Sequence, residues 1–258
     1  MSDTKLDLAS LNRAIAVRII REGGEVYLVG SSDHAKSESD LPAADFEIRS
    51  ISVPYPWQSV QGRPPLSVDD LRQMCSIPTL DGLYLSGDDI TREHLMVVGK
   101  AHSLKSLGVN SAQVTEMAPV AAQTELTFLS LSSCPVDSAG LKTIPALHKL
   151  RELILAGTRV DDDLFSTLEG LPKLEYLSLL ETGITDVGMR TLKRLSSLKT
   201  VCLRKTLVTD RGLAELAELS SLKLVDVRNT QVTPEGIKKF LGRLGYEIEL
   251  WSSYAQSD

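Results

Sequence analysis

Down this chain an apolar pattern, L-x-x-L-x-L, keeps returning in register. It begins at Leu80 and again at Leu104, Leu126, Leu150, Leu174, Leu198 and Leu222. Successive starts lie 24, 22, 24, 24, 24 and 24 residues apart. Valine replaces leucine at a few of the slots, as at Val109, Val201, Val225 and Val227. The L-x-L part alternates with period two, so each unit carries a short strand with its leucines on one face. A fixed step of this length marks one supersecondary unit per repeat. A single unit cannot bury its apolar face, but seven stacked units share a continuous core.

The remainder of each unit lines up as well. Eight residues after each start stand Asp88, Ala112, Cys134, Thr158, Thr182, Thr206 and Thr230. A small polar side chain there can satisfy loop backbone inside the stack. Two residues further on comes Ile or Val in every unit, at Ile90, Val114, Val136, Val160, Ile184, Val208 and Val232. Five units continue into apolar helical stretches, "VDSAGLKTI", "VDDDLFSTL", "ITDVGMRTL", "VTDRGLAEL" and "VTPEGIKKF". Asp137, Asp162, Asp186 and Asp210 precede these stretches and are expected to cap them. The 22-residue unit lacks two residues where its neighbours have helix and carries Pro119, so its return segment is expected to be irregular.

The ends of a solenoid need covers. Leu8, Leu11, Ile15 and Ile19 recur at helical spacing and predict an amphipathic helix that Gly23-Gly24 ends. "EVYLV" reads as a strand, "SSDHAKSESD" as a mobile polar loop, "FEIRSISV" as a divergent first repeat strand and "VDDLRQMCSI" as its helix. "YEIEL" predicts a last strand. "PYPWQSVQGRPP", with Tyr55 and Trp57 among four prolines, is an insertion that either forms a rigid lip beside the groove or, the favoured expectation, folds Trp57 back over the N-terminal end. The expected organisation is an N-terminal cap over 1–79, seven repeats over 80–245, and a C-terminal cap and tail over 246–258.

Composition narrows the function. A net charge of -6 without a long basic run argues against nucleic-acid binding. No apolar run reaches the ~18 residues of a membrane span, and "MSDTKLDLAS" does not read as a secretory signal. Cys75, Cys134 and Cys202 are few, odd in number and far apart, which fits reduced thiols and a cytoplasmic setting.

On these repeats, and on "ITDVGM" and "VTDRGL" in particular, the chain resembles the leucine-rich repeat superfamily. It is most similar to the 24-residue bacterial repeats with a T-D-x-G-L signature, which are related to cysteine-containing repeats beside F-box domains; "ITREHL" is a degenerate copy. The resemblance runs from about Phe46 to Leu250. It implies an α/β solenoid, a right-handed horseshoe with a parallel concave sheet and short convex helices. It also implies protein binding on the concave face and transfers no catalytic residue. Leu41-Pro42 opens as an F-box would, but the strand-like, proline-broken "FEIRSISVPYPW" that follows argues against one.

Strand alternation sends the non-leucine positions to the concave side. The candidate partner-binding residues there are Tyr84, Phe128, Glu152, Ile154, Tyr176, Leu180, Arg204, Asp226 and Arg228. Phe128, Ile154, Tyr176 and Leu180 are expected to form an exposed apolar cluster. Arg204, Lys205 and Arg228 form a basic edge, with Glu181 and Asp226 nearby. Aromatic and arginine residues together are typical interface anchors.

Catalytic signatures are missing. There is no phosphate loop, HExxH or paired CxxC. Asp161-Asp162-Asp163 is not expected to hold a cation, and His94, His102 and His148 read as surface or loop residues. Cys202 faces the concave side with no base in its columns. The expectation is a monomeric, non-enzymatic scaffold that binds a protein or peptide, without cofactor or metal. A substrate-recognition part of a ubiquitin-ligase-like or signalling assembly is one alternative; an enzyme with a loop-borne site is the other.

Overall fold

The computed structural model describes residues 8–53, 65–102 and 104–253. The proline-rich stretch 54–64, with Tyr55 and Trp57, lies outside the described residues, as does the expectation attached to it. Each repeat contributes one strand: β4 (Gly82–Ser86), β5 (Ser106–Asn110), β6 (Phe128–Ser130), β7 (Glu152–Ile154), β8 (Tyr176–Ser178), β9 (Thr200–Cys202) and β10 (Leu224–Asp226). Neighbouring strands pair in parallel with a constant register, so Leu83, Leu107, Leu129, Leu153, Leu177, Val201 and Val225 stand in one line. All seven are shut away from solvent. The leucine ladder expected from the spacing is therefore the core of the molecule.

Four more strands complete a single sheet. β3 (Ile48–Val53) pairs in parallel with β4 and places Ile51 opposite Leu83. β1 (Glu25–Leu28) runs antiparallel to β3, and β2 (His34–Ala35) antiparallel to β1. β11 (Glu249–Trp251) adds to β10 at the far end. The sheet order is β11-β10-β9-β8-β7-β6-β5-β4-β3-β1-β2. The stretch expected to be a mobile polar loop thus holds a strand. It also holds a tight 3-10 turn, where the Asp40 carboxylate accepts from the amides of Lys36 and Ser37 at 2.9 and 2.7 Å.

The helices form the opposite layer. α1 (Leu8–Arg21) buries Ile15 and Ile19 and packs on β1 and β3. α2 (Val68–Cys75), α3 (Arg92–Val98), α4 (Leu164–Leu168), α5 (Asp186–Leu192), α6 (Asp210–Glu215) and α7 (Pro234–Arg243) return the chain between strands. No described helix is long and apolar enough to cross a membrane. The short second repeat returns through a 3-10 turn at Ala118–Val120, in line with its missing residues. The third repeat corrects an expectation. "VDSAGLKTI" forms turns and ends in a 3-10 turn at Ile144–Ala146. Pro145 has no amide to give and disfavours helical backbone at Ile144, so a helix cannot run through. The Asp137 carboxylate accepts from the Gly140 amide at 2.8 Å and closes the first of these turns.

The polar ladder is built as its slot suggested. Thr158, Thr182, Thr206 and Thr230 donate their hydroxyls to the carbonyls of Leu155, Leu179, Leu203 and Val227 at 2.7, 2.7, 2.6 and 2.7 Å. Cys134, in the same slot, donates its thiol to the Val109 carbonyl of the previous coil at 3.4 Å.

The aspartates behave differently from expectation. Asp162, Asp186 and Asp210 do not cap their own helices; Thr185 and Thr209 cap α5 and α6, and Thr233 caps α7. Each aspartate instead reaches the threonine of the next coil. Asp186 accepts from the amide and hydroxyl of Thr209 at 2.8 and 2.7 Å, and Asp210 does the same for Thr233 at 2.7 and 2.7 Å. Asp162 engages Thr185 at 2.9 and 2.6 Å. The carboxylate of Asp186 also accepts from the Gly212 amide at 3.0 Å, and a side chain at residue 212 would collide with it. In the coils of α5 and α6 the threonine turns the helix on, the aspartate clasps the following coil, and the glycine, Gly188 or Gly212, leaves room for the aspartate behind; the α4 coil supplies only the aspartate, and the α7 coil only the threonine and the glycine.

Candidate functional site

The concave face consists of two rows of side chains running across the sheet. One row reads Tyr27, Ser50, Gly82, Ser106, Phe128, Glu152, Tyr176, Thr200, Leu224 and Glu249. The other contains Ser52, Tyr84, Gly108, Ser130, Ile154, Ser178, Cys202, Asp226 and Trp251. Leu180, Arg204 and Arg228 follow just beyond the strand ends.

At mid-face the sequence suggested exposed apolar side chains. Phe128, Ile154, Tyr176 and Leu180 are instead half-buried. Tyr84 joins them: its ring lies over Gly108, where a Cβ would stand 2.6 Å from it, and meets Phe128 with ring centroids 6.1 Å apart. Burial pushes the Tyr176 phenol above the ordinary tyrosine value, so it stays protonated as a donor. Glu152, between Phe128 and Tyr176, is exposed.

At the C-terminal end the charges divide unequally. Asp226, expected to face a partner, is only 2% exposed. Arg228 folds back over it, with Nε donating to one carboxylate oxygen at 2.9 Å and Nη2 to the other at 2.7 Å. The guanidinium also lies over the Trp251 ring, 4.9 Å from its centroid. Burial alone would raise the Asp226 carboxyl, but the bonds and charge of Arg228 outweigh it and hold the group below the usual carboxylate range. Asp226 and Arg228 therefore satisfy each other.

Arg204, one coil earlier, has no such match. Its Nε is buried without a hydrogen-bond partner, and no carboxylate among the described residues pairs with its guanidinium. Its neighbour Lys205 is occupied by Glu181 at 3.2 Å. Trp251, 42% exposed, belongs to the same end of the face and escaped the sequence reading. Carrying the row one step past Asp226 would have reached it.

Groups that could support chemistry are dispersed. Among the described residues, no three metal-ligating side chains converge. Asp161 is occupied by Ser138 at 2.7 Å and Asp162 by Thr185, so the acidic run points in separate directions. His94 is not a surface residue. It is buried in α3, accepts from the Thr91 amide through Nδ1 at 3.2 Å and must then donate from Nε2 to the Leu66 carbonyl at 2.8 Å. His102 and His148 are exposed. Burial pushes the Cys75 thiol up to about 12 and the Cys134 thiol up to about 11, and it raises Cys202 as well. Cys202 meets Ser178 and a buried, ion-paired carboxylate, Asp226, at 3.7 Å.

Neither a protein-family model nor a curated protein matches this chain. Solved structures do. An internalin C2 from Listeria monocytogenes superposes with a TM-score of 0.63 at 19% identity, over 93% of this chain and 92% of that one. An internalin (inlF) from the same organism gives a TM-score of 0.53 at 22% identity over 70% of this chain; the match spans 51% of that structure, about half its length. At such identities the likeness speaks to architecture alone, and together with the leucine ladder and the single open sheet it establishes that this chain is a leucine-rich repeat solenoid.

Proposed function

We propose that this solenoid is a non-enzymatic interaction module that holds a protein or peptide on its concave face. The observation that carries the reading is Arg204. A guanidinium whose Nε is buried and unpartnered lacks a hydrogen bond that folding normally supplies. As Asp226 does for Arg228, a carboxylate on a partner would pair with the remainder of this guanidinium, which no carboxylate among the described residues neutralises. Tyr84, Phe128, Ile154, Tyr176 and Leu180 offer a half-buried apolar platform beside it, and exposed Glu152 would select a basic group. Such a combination of aromatic and arginine anchors dominates binding at protein interfaces. We read the module as a monomer working in a reducing compartment, in keeping with three unpaired cysteines.

The test is affinity capture from the native cell with the full chain and with the Tyr176→Ala, Arg204→Glu double variant. The expected result is a partner retained by the natural chain and lost by the variant, whose circular dichroism stays unchanged. Equal retention by both proteins overturns the reading.

A further inference from the structure

The N-terminal end of the concave face holds a second feature, distinct from the Arg204 end. In the row Tyr27, Ser50, Gly82, Ser106, Phe128 two bulky rings bracket three minimal side chains. Four strand spacings separate the rings, roughly 19 Å at about 4.8 Å per strand. Tyr84 leans over Gly108, and because Gly82 has no side chain, only the Ser50 hydroxyl and the edge of the Tyr84 ring lie above it. The result is a cavity of about 540 Å³, within the size range of small-ligand sites. Its walls are Tyr27 and Tyr84, and Ser50, Ser52, Gly82 and Ser106 make its floor.

Two properties of this trough point to its ligand. The first is a polar group left over. Ser50 is 9% exposed, its hydroxyl has no hydrogen-bond partner, and it points into the space a Cβ on Gly82 would fill. A buried hydroxyl without a partner is costly, and few native ones lack a reason. The second is neutrality. The charged lining residues are Arg49 and Asp81, one of each sign; they face each other at 3.6 Å, and Lys105, outside the lining, also holds Asp81 at 3.1 Å. The remaining polar lining is mostly hydroxyl. A serine hydroxyl both donates and accepts, as does each hydroxyl of a sugar, while tyrosine faces suit the apolar C–H side of a sugar ring. The strands beneath spend their amides and carbonyls on one another, so a bound peptide backbone would find no ladder to join.

We propose that this trough binds an uncharged sugar ring of a glycan, stacked between Tyr27 and Tyr84 with its hydroxyls on Ser50, Ser52 and Ser106. The test is saturation-transfer-difference NMR on the full chain with maltotetraose, cellotetraose and triacetylchitotriose as probes. The expected result is transfer to the ring protons of at least one of them. Ser106→Phe fills the trough and Tyr84→Ala removes a wall; each should weaken that binding by about tenfold or more. Arg204→Glu should leave it unchanged, which separates this site from the protein-binding reading. Thermal melts establish that the variants fold, and Tyr84→Ala carries the test if Ser106→Phe does not. No transfer from any of the three sugars overturns the proposal. So does transfer that survives both trough variants, or displacement of the sugar by an acidic peptide in an Arg204-dependent way.

Discussion

Asp186 illustrates how much one side chain contributes to this fold. It accepts from the Thr209 amide and hydroxyl and from the Gly212 amide, all on the following coil. Removing it leaves those donors unmet at a partly buried seam, at about 1–3 kcal/mol for an unsatisfied group. Asp186→Ala should therefore lower the stability measured by urea unfolding by that order, and Asp186→Asn, which keeps one acceptor oxygen, by less. An unchanged midpoint for Asp186→Ala would show that the seam is incidental. The residues of the seam are legible in the sequence, since Thr and Asp recur at fixed places. Their pairing is not. A threonine-aspartate dipeptide at a helix start satisfies ordinary capping chemistry, and only the stacking distance reveals that the aspartate serves its neighbour. The Asp226–Arg228 pair was hidden for a similar reason: both side chains project to the concave side, and nothing in the periodicity shows one folding over the other.

Among the elements, the strands are where sequence and structure agree most closely, because period-two alternation and a fixed step leave one register that buries every leucine. The central strand β8 should be the most sensitive. Leu177 is fully buried between Leu153 and Val201, with no free surface toward which the cavity can collapse. Leu177→Ala should cost about 2–5 kcal/mol, the usual range for a buried leucine. Leu250→Ala, on the terminal strand β11 and 6% exposed, should cost less. Chemical unfolding of the two variants checks the order, and a reversed order would contradict a core centred on the ladder. The returning segments were less legible. In the third repeat Pro145 overrode an otherwise helical pattern. In the stretch before β3, a two-residue strand depended on an antiparallel partner that local composition does not announce. The trough was missed on the same account, since Tyr27 reaches the concave row only through that antiparallel extension.

For the whole molecule, the ionisable groups give stability a definite direction with pH. Asp70 beside Arg18, Glu125 beside Lys149, Glu175 between Lys199 and Arg151, and Asp226 beneath Arg228 are all held below their ordinary values, chiefly by those bonds except at Asp226, where they overcome burial. A depressed carboxyl contributes stability that is present above its unfolded value, near 4, and is lost as pH falls through the folded value. The protein should therefore keep its stability from neutral pH to about 5 and lose it progressively below about 4. Thermal melts across that range check this. Asp226→Asn should flatten the acid limb, and an identical limb would mean that the buried pair does not contribute. Several of these pairs link adjacent coils along one flank; each exposed pair is worth little alone, and their common direction matters more than any single one.

The Thr–Asp clasps also make the solenoid unequal along its length. They join the last four coils, at Asp162–Thr185, Asp186–Thr209 and Asp210–Thr233, whereas the early coils rely on singular bonds such as Gln123 to the Val98 carbonyl. The molecule resembles a zipper with its teeth gathered in one half. Stretching or heating would open the untoothed half by separate slips, while the clasped half would hold as a block and release together.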